Sequence, residues 1–260
     1  MFILKLGGSV ITDKTKECTF KKQVMDNLAK EINKANKQII IIHGAGSFGH
    51  IHAKKYDLKK GYNRYEQLYG FAITHQIVQS LNLMVLNSLH NYNVNAVSIS
   101  PHSILKLDNH ELATMNYKIF KDFLKLKFIP VTFGDVVLDN FLSFSICSGD
   151  LLSIALAKHF KPDKVIFAID EDGIYSSNPK INKNANFLES INSAQLDRLT
   201  TSADDHTDVT GGMSGKISTI KKISKLGIDT ILLNGNKPDR LYKVLIDQDV
   251  KCTTVNGDKK

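Results

Sequence analysis

The chain gathers lysine, histidine and glycine in an arrangement suited to phosphate chemistry. Lys5 interrupts an apolar run, Phe2 to Leu6, and Gly7, Gly8 and Ser9 follow at once. Lys14 lies in the polar connection after this loop, and Lys216 follows Gly211 and Gly212 at the start of an apolar-periodic segment. Ile39 to His50 reads IIIIHGAGSFGH, so a β-branched run delivers Gly44, Gly46 and Gly49 between His43 and His50. Glycines at a strand end let backbone N–H groups approach an anion closely. Each lysine alone would be an ordinary surface charge, but one sits inside an apolar strand and another follows a glycine-rich helix start. The pattern predicts a polyphosphate site between the first two glycine loops. A third anion cradle is expected at Asp208-Val209-Thr210-Gly211-Gly212.

These loops need elements to hold them. A continuous isoleucine run is what a strand covered on both faces looks like, so Phe2 to Leu6 and the Ile39 run read as buried strands. Val24, Leu28 and Ile32 recur at helical spacing between them, and a further helix starts on the second glycine loop. After a polar break at Lys59 to Arg64, a long helical pattern runs from Tyr65 to Tyr92. Ala96 to Ile99 reads as a strand closed by Pro101, Ile119 to Leu126 as a helix, and Phe128 to Phe133 as a strand ending in Gly134-Asp135. Val136 to Leu138 and Phe141 to Phe144 predict a hairpin turning at Asp139-Asn140. Leu151 to His159 reads as a helix, Val165 to Ile169 as a buried strand and Asn178-Pro179 as a turn. A helix carrying Ile217, Ile220 and Ile223 stops at Gly227. Ile231 to Leu233, a helix through Arg240 to Leu245 and a strand near Thr253 to Val255 complete the chain. This alternation predicts an α/β fold with a mostly parallel sheet and helices on both faces. In such open sheets ligands bind at the carboxyl edge of the strands.

Composition narrows the function. At 260 residues the chain accommodates one α/β domain or two fused lobes. Cys18, Cys147 and Cys252 are far apart and form no CxxC pair, which argues against a disulfide framework and against a structural zinc site. No stretch approaches the ~20 apolar residues of a membrane span. The expectation is a soluble cytoplasmic protein without a membrane partner. A net charge of +8 attracts anions. Only Arg64, Arg198 and Arg240 are arginines, however, and base readout leans on the guanidinium fork, so no nucleic-acid partner is expected.

Simpler motifs fit less well. Gly44, Gly46 and Gly49 match GxGxxG, but the dinucleotide fingerprint needs a strand ending in Asp or Glu about 20 residues later, where a helix and a polar break stand instead. Gly211 to Lys216 is one residue short of a P-loop, and Ile217 replaces the Ser or Thr that would hold magnesium. His50 and His52 are two apart on a helix and point to different faces, so they are poor joint metal ligands.

Lys5-Leu6-Gly7-Gly8-Ser9, His43 to His50, Ser148-Gly149-Asp150, Asp170-Glu171-Asp172-Gly173 and Asp208 to Met213 with Lys216 resemble, in order and spacing, the motifs of the amino acid kinase family. The likeness spans essentially the whole chain. His50 points to the branch of the family whose acceptor is isopentenyl phosphate. The resemblance implies a three-layer αβα sandwich over 1–260, with an acceptor-binding lobe at 1–160, a nucleotide-binding lobe at 161–260, and usually a homodimer. It also implies ATP, with Mg2+ riding on the ATP phosphates rather than on a metal site of the protein.

By the family pattern, Lys5, Leu6, Gly7, Gly8, Ser9, Gly46, Asp150, Asp170, Asp172, Gly173, Gly212 and Lys216 would serve the nucleotide. Ala45, Gly49, His50 and Gly149 would serve the acceptor phosphate. Lys5, Lys14, His50, Asp150 and Lys216 would carry the chemistry, Asp150 by holding lysines in place. The long helix sets Phe71, Thr74 and Val78 on one face, and Ile146 lies just before Ser148, so Phe71, Thr74 and Ile146 are expected to wall an apolar slot for a short branched chain. A carboxylate, carbamate, phosphonate or uridine monophosphate acceptor, or a basic nucleotide- or RNA-binding module without turnover, stays open on the residues alone.

Overall fold

The computed structural model describes residues 1–177, 179, 182–196 and 212–258. Asn178, Arg198 and the expected cradle residues Asp208 to Gly211 lie outside the described residues. In chain order the first half runs β1 (Phe2–Leu6), α1 (Gly8–Ile11), α2 (Lys22–Ala35), β2 (Ile39–His43), α3 (Gly46–Lys55), α4 (Glu66–Asn91) and β3 (Ala96–Ser98). Next come α5 (Pro101–Ile104), β4 (Leu105–Asp108), β5 (Glu111–Met115), α6 (Tyr117–Lys125), β6 (Ile129–Phe133), β7 (Asp135–Asp139), β8 (Ser143–Cys147) and α7 (Gly149–Phe160). The remainder is β9 (Lys164–Ile169), β10 (Ile174–Tyr175), β11 (Phe187–Leu188), β12 (Ser190–Ile191), α8 (Gly212–Ser224), β13 (Asp229–Asn234), α9 (Arg240–Leu245) and β14 (Thr253–Val255).

Among the described residues the main sheet has the order β12-β14-β13-β9-β1-β2-β6-β3. Its pairings are parallel except β13 with β14, as the alternation of strand and helix requires. β1 lies between β2 and β9 and is buried along its whole length. The two-residue period of a strand divides its side chains. Phe2, Leu4 and Leu6 join a core with α2, α4 and α9, whereas Ile3 joins the opposite core with α6, α7 and α8. Lys5 therefore emerges on the second face, at the carboxyl end of the central strand, in register with Ile42 and Phe167. The two cores on either side of one sheet make the three-layer αβα sandwich. No helix among the described residues is long and apolar enough to cross a membrane.

A second sheet, β5-β4-β7-β8, was only half legible. The β7–β8 hairpin forms, but its ladder continues to Asp139 opposite Ser143. The turn is therefore Asn140 to Leu142 and not Asp139-Asn140. Asp139 belongs to the ladder because its carboxylate accepts the N–H groups of Asn109, His110, Phe141 and Leu142 at 2.9–3.0 Å, tying two turns together. Ser143, the first residue of β8, takes a left-handed φ of +66 directly after that turn. The β4–β5 pair was not anticipated, because β5 is largely exposed and carries no apolar alternation.

Candidate active site

The carboxyl ends of β1 and β2 bring the two glycine loops into direct backbone contact. Gly44 N–H donates to Leu6 O at 3.0 Å, and Gly7 N–H to Ala168 O at 2.9 Å. A Cβ on Gly8 would lie 2.7 Å from the backbone N and Cα of Gly46, and one on Gly44 would lie 2.8 Å from Gly8 N. Only glycine permits this approach. Gly46 also takes φ +51, and its Cβ would meet Thr12 Oγ1 at 2.2 Å. The Thr12 hydroxyl explains that crowding: it donates to Gly8 O at 2.7 Å and accepts from Ser47 N–H at 3.1 Å, stitching one loop to the other.

Above the loops opens a cavity of about 660 Å³, and Lys5, Lys14, His50, Asp150 and Lys216 all line it. Five residues from five segments thus converge on one space. Gly7, Gly8, Ser9, Ala45, Gly46, Gly49 and Gly149 line it too. Lys5 is 7% exposed, forms an ion pair with Asp150 and lies 5.4 Å from the Phe167 ring centroid. Asp150 is placed by the start of α7, where Ser148 Oγ caps the helix by accepting Leu151 N–H at 3.1 Å. Gly149 keeps the lysine stem clear, since a Cβ there would stand 3.3 Å from Lys5 Cε.

Burial and neighbouring charge weaken the basicity of His50 and Lys216. Desolvation lowers the His50 pKa, and Lys14, Lys5 and Lys216 lower it further. Desolvation also lowers Lys216, again with Lys5 and Lys14 acting in the same direction against Asp150. A cluster of mutually repelling positive groups in a cavity stores an affinity for polyanions. His43 plays a different part. It is buried, held near pKa 4 by desolvation, stacked on Phe133 and hydrogen-bonded toward Asn82, so it is a neutral core residue beneath the loop.

Thr74, Val78, Val136 and Ile146 give the same cavity an apolar side. Phe71 does not line it. Its ring packs 5.3 Å from Phe144 in a small core with Ile146, so it backs the wall. On the other flank, Asp170 accepts the Ser9 hydroxyl at 3.0 Å. Asp172 is held by Arg240 at 2.7 Å, Lys251 at 2.9 Å and Asn234 at 3.2 Å. Burial raises its pKa, but these three donors outweigh burial and bring it to about 2. Gly173 packs under Thr253, where a Cβ would come within 2.3 Å of Oγ1. Leu6, Asp170, Asp172 and Gly173 therefore stand outside the cavity lining, with Leu6 buried in the core. Gly212 begins α8, four residues before Lys216.

Sequence reasoning missed one pair at the site. Asp135 lines the cavity, and its buried carboxylate accepts from His75 Nδ1 at 2.7 Å. Its position after Gly134 at a strand end was a usable signal. Nothing in the spacing linked it to His75 on α4.

An open αβα sheet with touching glycine loops and three lysines facing one cavity defines a small-molecule kinase. The chain belongs to the amino acid kinase family, whose model matches residues 1–234. It is 36% identical to the isopentenyl phosphate kinase of Methanothermobacter thermautotrophicus over 99% of both chains. Identity to the isopentenyl phosphate kinase of Thermoplasma acidophilum is 34%, over 93% of this chain and 94% of the relative. A solved isopentenyl phosphate kinase structure superposes with a TM-score of 0.87 at 31% identity, covering 98% of this chain and all of that one.

Proposed function

We propose that this chain transfers the γ-phosphoryl group of ATP to isopentenyl phosphate, giving isopentenyl diphosphate. The observation that carries the reading is one cavity with two unlike sides. Lys5, Lys14 and Lys216 supply positive charge and His50 a hydrogen-bond donor, while Thr74, Val78, Val136 and Ile146 supply an apolar wall. The acceptor has a phosphate second pKa near 6, so it arrives largely ionised and needs no general base. Its difficulty is the approach of one anion to another. Catalysis then rests on positioning and on charge stabilisation, as phosphoryl transfer generally does.

In this reading Lys5 and Lys216 lie along the donor phosphates, Lys14 stabilises the transferring group, and Asp150 fixes Lys5. Gly8, Gly46 and Gly212 present backbone donors, and glycine at 8 and 46 is what lets the first two loops meet. His50 donates to the acceptor phosphate, with Ala45, Gly49 and Gly149 beside it. Thr74 and Ile146 border the alkyl chain, with Phe71 behind them. Asp170, Asp172 and Gly173 shape the nucleoside side. Mg2+, when bound with ATP, supplies further neutralisation of the donor phosphates. Lobes at 1–160 and 161–260, a homodimer and a cytoplasmic location belong to the same proposal. Release of ADP on adding isopentenyl phosphate and MgATP to the purified protein tests it, and absence of acceptor-dependent ADP would overturn it.

A further inference from the structure

The fold brings together three residues whose sequence spacing shows no metal pattern. Glu17 and Cys18 lie in the loop after α1, and His52 lies on α3. His52 Nε2 is 2.8 Å from Glu17 Oε1, and one ligand atom from each of Glu17, Cys18 and His52 lies within 4.8 Å of the others. The carboxylate and thiol side are exposed, whereas His52 is half-buried and its Nδ1 is enclosed without a hydrogen-bond partner among the described residues. Nε2 is therefore the ring nitrogen that faces the cluster. We propose that Glu17, Cys18 and His52 form a binding site for a divalent cation of the zinc class, which clasps the Lys14 loop to the helix that carries His50.

The donor set selects the metal. Thiolate, imidazole and carboxylate together suit zinc, whereas magnesium keeps oxygen ligands and water, so this site is chemically distinct from any ion that travels with ATP. Tetrahedral zinc bonds place neighbouring ligand atoms about 3.4–3.6 Å apart. The cluster reaches that geometry when the exposed Glu17 and Cys18 side chains adjust by about an ångström, with solvent as the fourth ligand. Binding releases the Cys18 proton to solvent. The loop is closed already: Thr12 pairs with Phe20 across its base, and Asp13 N–H donates to Thr19 O at 2.9 Å. Lys14 sits inside that loop, and His50 precedes His52 by two residues on α3. A metal there would join the two elements behind the cavity without entering it.

Cobalt(II) titrated into the full-length protein without nucleotide reads the site directly. One equivalent should produce tetrahedral d–d bands with a thiolate charge-transfer band, and zinc should bleach both. Cys18→Ser should abolish the charge-transfer band and His52→Ala should weaken binding at least tenfold, while Cys252→Ser leaves the spectrum unchanged. Zinc should also slow amide exchange across residues 13–19 in the parent protein and not in Cys18→Ser. No thiolate band, or a band that survives Cys18→Ser, would overturn the site. Binding with unchanged exchange across the loop would overturn the clasp.

Discussion

Lys5 and Asp150 are 145 residues apart in sequence and joined by an ion pair at the mouth of the central strand. The ammonium is nearly enclosed within a strand whose other four residues are apolar, so its charge is held in place before any ligand arrives. A group fixed in this way costs no reorganisation when charge moves during a reaction.

Replacing Lys5 by Met or Lys216 by Ala should lower phosphoryl transfer by about 10²-fold or more, the scale of losing one preorganised electrostatic partner. Far-ultraviolet circular dichroism should show the fold retained. A folded variant with near-normal kcat would remove that lysine from the chemistry.

Burial lowers the pKa of His50, and repulsion from Lys14, Lys5 and Lys216 lowers it further. An acceptor dianion bound beside it would offset that repulsion, so its pKa should rise on binding. Histidine NMR titration with and without the monophosphate reads this shift, and a fall or no change would argue against contact. His50→Ala should damage acceptor kinetics more than His50→Gln, which keeps a donor, with ATP binding little altered in both.

Gly46→Ala should destabilise the protein by about 1–3 kcal/mol, because φ +51 and the 2.2 Å approach to Thr12 Oγ1 leave no strain-free place for a methyl group. Gly215→Ala offers the contrast. Among the described residues a Cβ there meets nothing within 4 Å, and helix propensity predicts unchanged or slightly higher stability, by up to about 1 kcal/mol. Thermal unfolding of the two variants decides the point, and equal melting temperatures would contradict it.

Asp172 has a folded pKa near 2 against an ordinary value of 3.8. Its contribution to stability is complete above about pH 4 and is lost as pH falls toward 2, because the unfolded chain takes up the proton first. Arg240→Ala removes one of the donors that hold the value down, so acid unfolding should begin at higher pH. An acid transition identical to the parent would show that this ion pair adds no stability.

Much of this was readable from residues alone. Strands such as Ile39–His43 are buried on both faces and advertise themselves by composition, and the paired glycine loops follow from where those strands end. Lys5 betrayed itself by interrupting such a strand. The β4–β5 pair did not, since an exposed strand lacks the apolar alternation that reading depends on. Asp135 with His75, and Asp172 with Arg240, are long-range pairings. They exist only because the sheet brings distant segments together, and no local spacing encodes them. Phe71 was placed on the correct helix face but one layer too far forward, because helical periodicity gives direction and not depth.

A side-by-side assay decides which acceptor the protein uses. ADP formation should be followed with isopentenyl phosphate, uridine monophosphate, acetylglutamate, carbamate and fosfomycin at equal concentration. The same panel should be repeated for Ile146→Ala with a longer prenyl monophosphate added. The parent protein should show a clear preference for isopentenyl phosphate. Ile146→Ala should gain activity on the longer chain, since each methylene newly buried contributes up to about 0.8 kcal/mol. A clear preference for any of the other four acceptors would contradict isopentenyl phosphate as the acceptor.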